Sequence, residues 1–200
     1  MFKRSYSAPT VCEKEILRYA GCASDNVEMG VLSLMRDCIK EVEGKLSFQV
    51  CYRRFPVTYD GQVAFLQGNS SHLRHYLRNC EEVVLFAATV GLEADRLISK
   101  YGRLSPSRGL MMQAVGAERI EALCDTFCRD LAGELSREGL TLKPRFSPGY
   151  GDYALENQRA IFASLDCPRQ IGLSLNESLL MTPSKSVTAL VGLLPKQSNQ

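Results

Sequence analysis

The segment Arg145-Phe146-Ser147-Pro148-Gly149-Tyr150-Gly151-Asp152 gathers residue types suited to holding a small molecule. A guanidinium such as that of Arg145 presents a planar fork to a carboxylate. Gly149 lets a backbone come close to a bound ligand, and Tyr150 supplies a flat apolar face with a hydroxyl at its tip. The same residues also describe a rigid turn capped by an arginine, and both readings stand on this string alone. Glu121 is a second candidate. It lies about 100° around a helix from Ile120, at the edge of an apolar stripe, where a carboxylate either borders a cleft or faces solvent.

Familiar catalytic fingerprints do not occur. Gly149-x-Gly151 is too short for a dinucleotide motif and follows a loop, where that motif needs a strand. There is no phosphate-binding loop and no nucleophile elbow. His72 and His75 stand three apart with no carboxylate partner evident, and read as solvated helix-surface histidines. The cysteines Cys12, Cys22, Cys38, Cys51, Cys80, Cys124, Cys128 and Cys167 are spread along the chain with no Cys-x-x-Cys pair. Reduced, largely buried thiols are expected from that spread, and no metal centre. Lys plus Arg is 24 against 22 for Asp plus Glu, a formal charge of +2 that gives no case for nucleic-acid or membrane-surface binding. No apolar run is long enough to span a bilayer, and no apolar core follows Lys3 and Arg4 as in an export signal. A cytoplasmic protein is expected. Hydrophobic residues at 45% supply enough apolar surface for one globular domain over residues 1–200.

The elements that position these residues follow from periodicity. Residues 11–20 and 28–44 read as amphipathic helices, the second through Val31, Leu34, Met35, Cys38 and Ile39. Leu46, Phe48, Val50 and Tyr52 alternate as on a strand. Tyr59-Asp60-Gly61-Gln62 then suggests a hairpin turn, with Val63–Leu66 as the returning strand. A short helix over Ser70–Cys80 precedes Val83–Thr89, whose continuous apolar run predicts a strand buried on both faces. A helix at 92–101 and a long one at 107–137 come next. Gly116, Ile120, Leu123, Cys124, Phe127, Leu131 and Leu135 share one face of the long helix. Pro144 is expected to end the helical region, and 145–152 is expected to be a loop. Asp152 and Asn157, with Leu155, Ile161, Phe162 and Leu165, open another helix. Strands around Ile171–Leu175 and Val187–Leu194 close the chain. Helices and strands without strict alternation favour an α+β fold, a mixed or antiparallel sheet flanked by helices, over a doubly wound one.

Three blocks together resemble the activation domain of cobalamin-dependent methionine synthase, in a short free-standing form. Arg145-Phe146-Ser147-Pro148-Gly149-Tyr150 is similar to that family's Arg-x-x-x-Gly-Tyr signature. Ala114–Ala122 is similar to the helix before it, and Leu175–Ala189 to the later Thr-Glu-Ser…Met…Pro…Ser-Val block. They occur in the family's order and cover roughly residues 110–192, and Val83–Arg96 is also similar to short versions of the domain.

The resemblance implies S-adenosylmethionine binding and docking onto a cobalamin-carrying module whose cobalt has oxidised to the inactive cob(II) state. A flavodoxin-type donor supplies one electron, and the cob(I) formed takes the methyl group, so the protein need only position the donor. By the same match, Glu121 pairs with the ligand's amino group and Arg145 with its carboxylate. The backbone around Ser147 hydrogen-bonds the ligand, Gly149 permits close approach, and Tyr150, the residue given a catalytic role, sits near the upper cobalt face. The family's cobalamin-binding Asp-x-His-x-x-Gly motif does not occur here, so cobalamin is expected on a partner. Two other functions are compatible with the residues. One is a non-catalytic docking module for a corrinoid protein. The other is an S-adenosylmethionine-dependent methyltransferase on another acceptor, for which Glu121 is the one evident base.

Overall fold

Val83–Ala88 is apolar at every position, and a strand of that composition needs cover on both faces. It receives that cover as β3 (Glu82–Thr89), the middle strand of a five-stranded antiparallel sheet. The computed structural model describes residues 1–22, 27–58, 63 and 70–196. The other strands of this sheet are β1 (Phe2–Tyr6), β2 (Phe48–Pro56), β4 (Leu140–Leu142) and β7 (Ser186–Pro195), in the order β1-β2-β3-β7-β4. The register pairs Phe86 with Tyr52 on one side and with Ala189 on the other.

That register sorts the side chains into two cores, because neighbours along a strand point to opposite faces. Val50, Tyr52, Val84, Phe86, Ala189 and Val191 face the long helix α5 (Pro106–Arg137), against its Ile120, Leu123, Phe127 and Leu131. Phe127 is fully buried, with its ring 5.1 Å from that of Tyr52 and 4.9 Å from that of Phe86. Burial of such a side chain contributes about 1.5–3 kcal/mol. On the opposite face, Cys51, Val83, Leu85 and Leu190 pack on α3 (Ser71–Tyr76), α6 (Asn157–Leu165) and α7 (Cys167–Ile171). A third cluster joins the first half of α5 to α1 (Glu13–Tyr19), α2 (Met29–Val42) and α4 (Glu93–Leu104). Gly109 permits the close α4–α5 crossing, since a Cβ there would lie 2.9 Å from the Gly102 nitrogen. The α+β expectation holds, and the sheet is antiparallel throughout.

Several local expectations are corrected. The long helix ends at Arg137 as expected, but the chain is extended well before Pro144, because Gly139 turns it with φ +75° and β4 follows. Ile171 closes the short helix α7, whose first turn carries Pro168, and Gly172 caps it in the left-handed region. Only Ser174–Leu175 of the expected strand is extended. It is β5, paired with β6 (Met181–Thr182) in a separate two-stranded ribbon. Asp152 does not open α6, which begins at Asn157. The hairpin turn at 59–62 and its returning strand fall outside the described residues, except for Val63, which is buried. All eight cysteines are free.

Candidate functional site

Phe146 pairs with Leu190 of β7 through two backbone hydrogen bonds, 2.9 and 2.8 Å long. Its ring stacks on Tyr76 and Tyr153, within the core on the α3–α6 side of the sheet. Alternation along an extended segment then sends the preceding side chain, Arg145, to the other side, where α5 lies. There its Nη2 donates to Glu121 Oε2 at 2.9 Å and to Asp125 Oδ1 at 2.8 Å. Glu121 and Asp125 are one turn apart on α5 and so share a face. Burial opposes the charge on Arg145, but Cys124, Glu121 and Asp125 outweigh it and raise the guanidinium's pKa. Burial pushes the Cys124 thiol up and the Cys128 thiol to about 11, so neither is an activated nucleophile.

The rest of the loop is held from within. Gly149 donates to the Tyr153 carbonyl at 2.7 Å with φ +94°, a conformation that favours glycine. Ser147 is half-buried and accepts from the Tyr150 amide at 3.3 Å. The Tyr150 side chain is 66% exposed. A Cβ at Gly149 would meet only an ordinary contact with Leu155, whereas at Gly151 φ is +57° and a Cβ would collide with His72 Nδ1. Asp152 accepts from Ser70 Oγ at 2.5 Å, Ser71 N at 2.7 Å, Ser71 Oγ at 2.6 Å and His72 N at 3.1 Å. The side-chain bonds from Ser70 and Ser71 hold its carboxyl well below the usual range. His72 therefore does have a carboxylate neighbour, with Nδ1 3.7 Å from Asp152 Oδ1. The sequence hides it because the two residues are eighty apart.

A buried ion pair supplies the far wall. Glu118 and Arg119 are each about 3% exposed. Arg119 donates to Glu118 through Nε at 2.6 Å and Nη2 at 2.7 Å, to the Pro9 carbonyl at 2.5 Å and to the Thr10 carbonyl at 2.8 Å. The Cys12 amide donates to Glu118 Oε1 at 3.0 Å. The extended segment Pro9–Cys12 is thereby strapped to α5. Between it, α1 and α5 lies a cleft of about 490 Å³ whose lining includes Pro9, Thr10, Cys12, Glu118, Glu121 and Asp125. Sequence reasoning missed the strap and the pair, although Arg119 stands out inside the apolar stripe, three after Gly116 and four before Leu123.

No family model matches this chain, and no curated protein does. A solved structure, the MetH reactivation domain bound to AdoHcy, superposes with a TM-score of 0.63 at 17% identity, covering 86% of this chain and 66% of that one. The chain has the reactivation-domain fold. In this fold the structure brings together two of the residues singled out from sequence, Glu121 and Arg145, and adds Asp125 to them. Ser147, Gly149 and Tyr150 follow Arg145 on the loop, and their backbone hydrogen bonds are made within it. A larger cavity of about 840 Å³, lined by Arg74, His75 and Arg78 among others, lies away from this group. Among the described residues no group of three metal-binding side chains occurs, and no helix is long and apolar enough to cross a membrane.

Proposed function

We propose that this chain binds S-adenosylmethionine and acts as an activation subunit, supporting reductive methylation of cob(II)alamin held by a methionine synthase. The observation that carries the reading is the Arg145–Glu121–Asp125 group, set beside the Gly149–Tyr150 loop on a fold whose solved neighbour is bound to AdoHcy. The amino-acid end of the ligand carries a carboxylate and an ammonium. Arg145 has a planar fork for the first, and both of its ion pairs use Nη2 alone, which leaves Nη1 and Nε outside those pairs. Glu121 lines the cleft and offers an acceptor to the ammonium. Ser147 and Gly149 contribute backbone groups, and the exposed Tyr150 is available to a docked surface. Cobalamin arrives on the partner's cobalamin-binding module and the electron from a flavodoxin-type donor. Reduced cobalt is a strong nucleophile and the sulfonium a methyl donor, so the residues here have only to bind and orient.

Calorimetric titration with S-adenosylmethionine tests this. The wild type should bind and Arg145→Ala should not, with the fold unchanged because Arg145 is a loop residue whose partners are exposed. Glu121→Gln should weaken binding by about 1 kcal/mol, the upper range for a solvent-exposed pair. Binding that survives Arg145→Ala would remove the ligand assignment. The pairing of Arg145 with the chain's own carboxylates favours a second reading, a docking module that engages a corrinoid protein without S-adenosylmethionine. Failure of the wild type to bind, together with complex formation on a corrinoid protein, would select that reading.

A further inference from the structure

Arg145 is occupied before any ligand arrives. The second of its two carboxylates, Asp125, was not among the residues singled out from sequence, and it is the more exposed of the pair, 62% against 40% for Glu121. Its Oδ1 lies 2.8 Å from Nη2, and a ligand carboxylate bound bidentately along either edge of the guanidinium, with Nε or with Nη1, needs that same nitrogen as its second donor. One turn further along α5 stands Arg129, which lines the same cleft, is exposed, and has no ion pair within 4.0 Å among the described residues. The spacing from Asp125 to Arg129 is i to i+4 with the acid first, the favourable order for a helical ion pair. Asp125 thus has a second cation within reach if it leaves Arg145.

We propose that Asp125 is an internal competitor, standing in for the ligand's carboxylate at Arg145 and moving toward Arg129 when the ligand binds. This rests on the S-adenosylmethionine reading and adds to it a residue that sets affinity. The sign of the effect separates this competition from a general field. S-adenosylmethionine carries a carboxylate, an ammonium and a sulfonium, and so is a net cation. Removing a negative charge near the site would weaken its binding through the field alone. Freeing Arg145 from a competitor strengthens it.

The experiment titrates S-adenosylmethionine and its decarboxylated analogue into the wild type, Asp125→Asn, Asp125→Ser and Arg129→Gln at low and at high salt, with circular dichroism confirming the fold of each. Both Asp125 variants should bind S-adenosylmethionine about threefold to fivefold more tightly at low salt, the size of one exposed ion pair, with the gain shrinking as salt screens it. The decarboxylated analogue, which has nothing to place at Arg145, should show no gain. Arg129→Gln should bind S-adenosylmethionine less tightly than the wild type. Unchanged or weaker binding in the Asp125 variants, or an equal gain with the decarboxylated analogue, would overturn the competition while leaving the ligand reading in place. No uptake by the wild type or by either Asp125 variant would overturn both.

Discussion

Replacing Arg119 with alanine removes a guanidinium that makes two hydrogen bonds to Glu118 and one each to the Pro9 and Thr10 carbonyls. What remains is a carboxylate about 3% exposed, with the Cys12 amide as its one donor among the described residues. Breaking a buried pair in this way costs about 3–5 kcal/mol, because one charge is left in low dielectric without its partner. Against a total stability of about 5–15 kcal/mol, that is a large share. Arg119→Lys should lose less, about 1–3 kcal/mol, since one ammonium keeps the charge but cannot reach four acceptors at once. The double variant Arg119→Met with Glu118→Gln should be more stable than the single losses added together, by roughly 1–3 kcal/mol of coupling. Urea unfolding gives these values from the shift in midpoint at constant slope. Amide exchange at Cys12 should speed up in Arg119→Ala before the core exchanges, because the strap loses its fastening while the sheet does not. An Arg119→Ala chain within about 0.5 kcal/mol of wild type, the range of an ordinary surface change, would refute the reasoning. The pair would then be solvated in solution and would not be what holds Pro9–Cys12 against α5.

Two further outcomes follow from the loop and the thiols. Asp152 has a depressed pKa through its bonds from Ser70 and Ser71, so its contribution is complete above the unfolded-state pKa and is lost as pH falls through the folded one. Melting temperature followed into acid should therefore drop less steeply in Asp152→Asn than in wild type, and parallel curves would mean that the carboxylate does not hold the loop to α3. In the native protein, a disulfide reagent near neutral pH should modify the exposed Cys12 first and the half-buried Cys22 next. Cys38, Cys51, Cys80, Cys124 and Cys167 are buried, and burial pushes Cys38 and Cys128 to about 11, so those six should wait for denaturant. Rapid labelling of more than two thiols, read by mass spectrometry, would contradict that packing.

How much of this was legible in the chain depends on the range of the interaction involved. The apolar stripe from Gly116 to Leu135 and the apolar run at Val83–Ala88 are local patterns, and the helix and strand they predict are present as α5 and β3. The loop at 145–152 was legible because proline and glycine restrict or free the backbone whatever surrounds them. The short edge strands β1 and β4 were not. Phe2–Tyr6 and Leu140–Leu142 have little pattern of their own and are extended because β2 and β7 offer hydrogen-bonding edges to them. Nor did the string around Cys167 announce a helix, which appears because Pro168 starts a turn that Gly172 stops. At the site, residue type and spacing marked Arg145 and Glu121 separately, and the alternation of one extended segment decided that they meet. Asp125 and the strap at Pro9–Cys12 entered only with the fold, since their partners lie 20 and more than 100 residues away along the chain. The sequence by itself marked Arg145 and Glu121 as candidates for holding a small molecule, because a guanidinium in a loop and a carboxylate at the edge of an apolar stripe are local features. The sheet register and the path of the N-terminal segment decided which charges satisfy one another, because short-range ion pairs depend on distances that only packing sets.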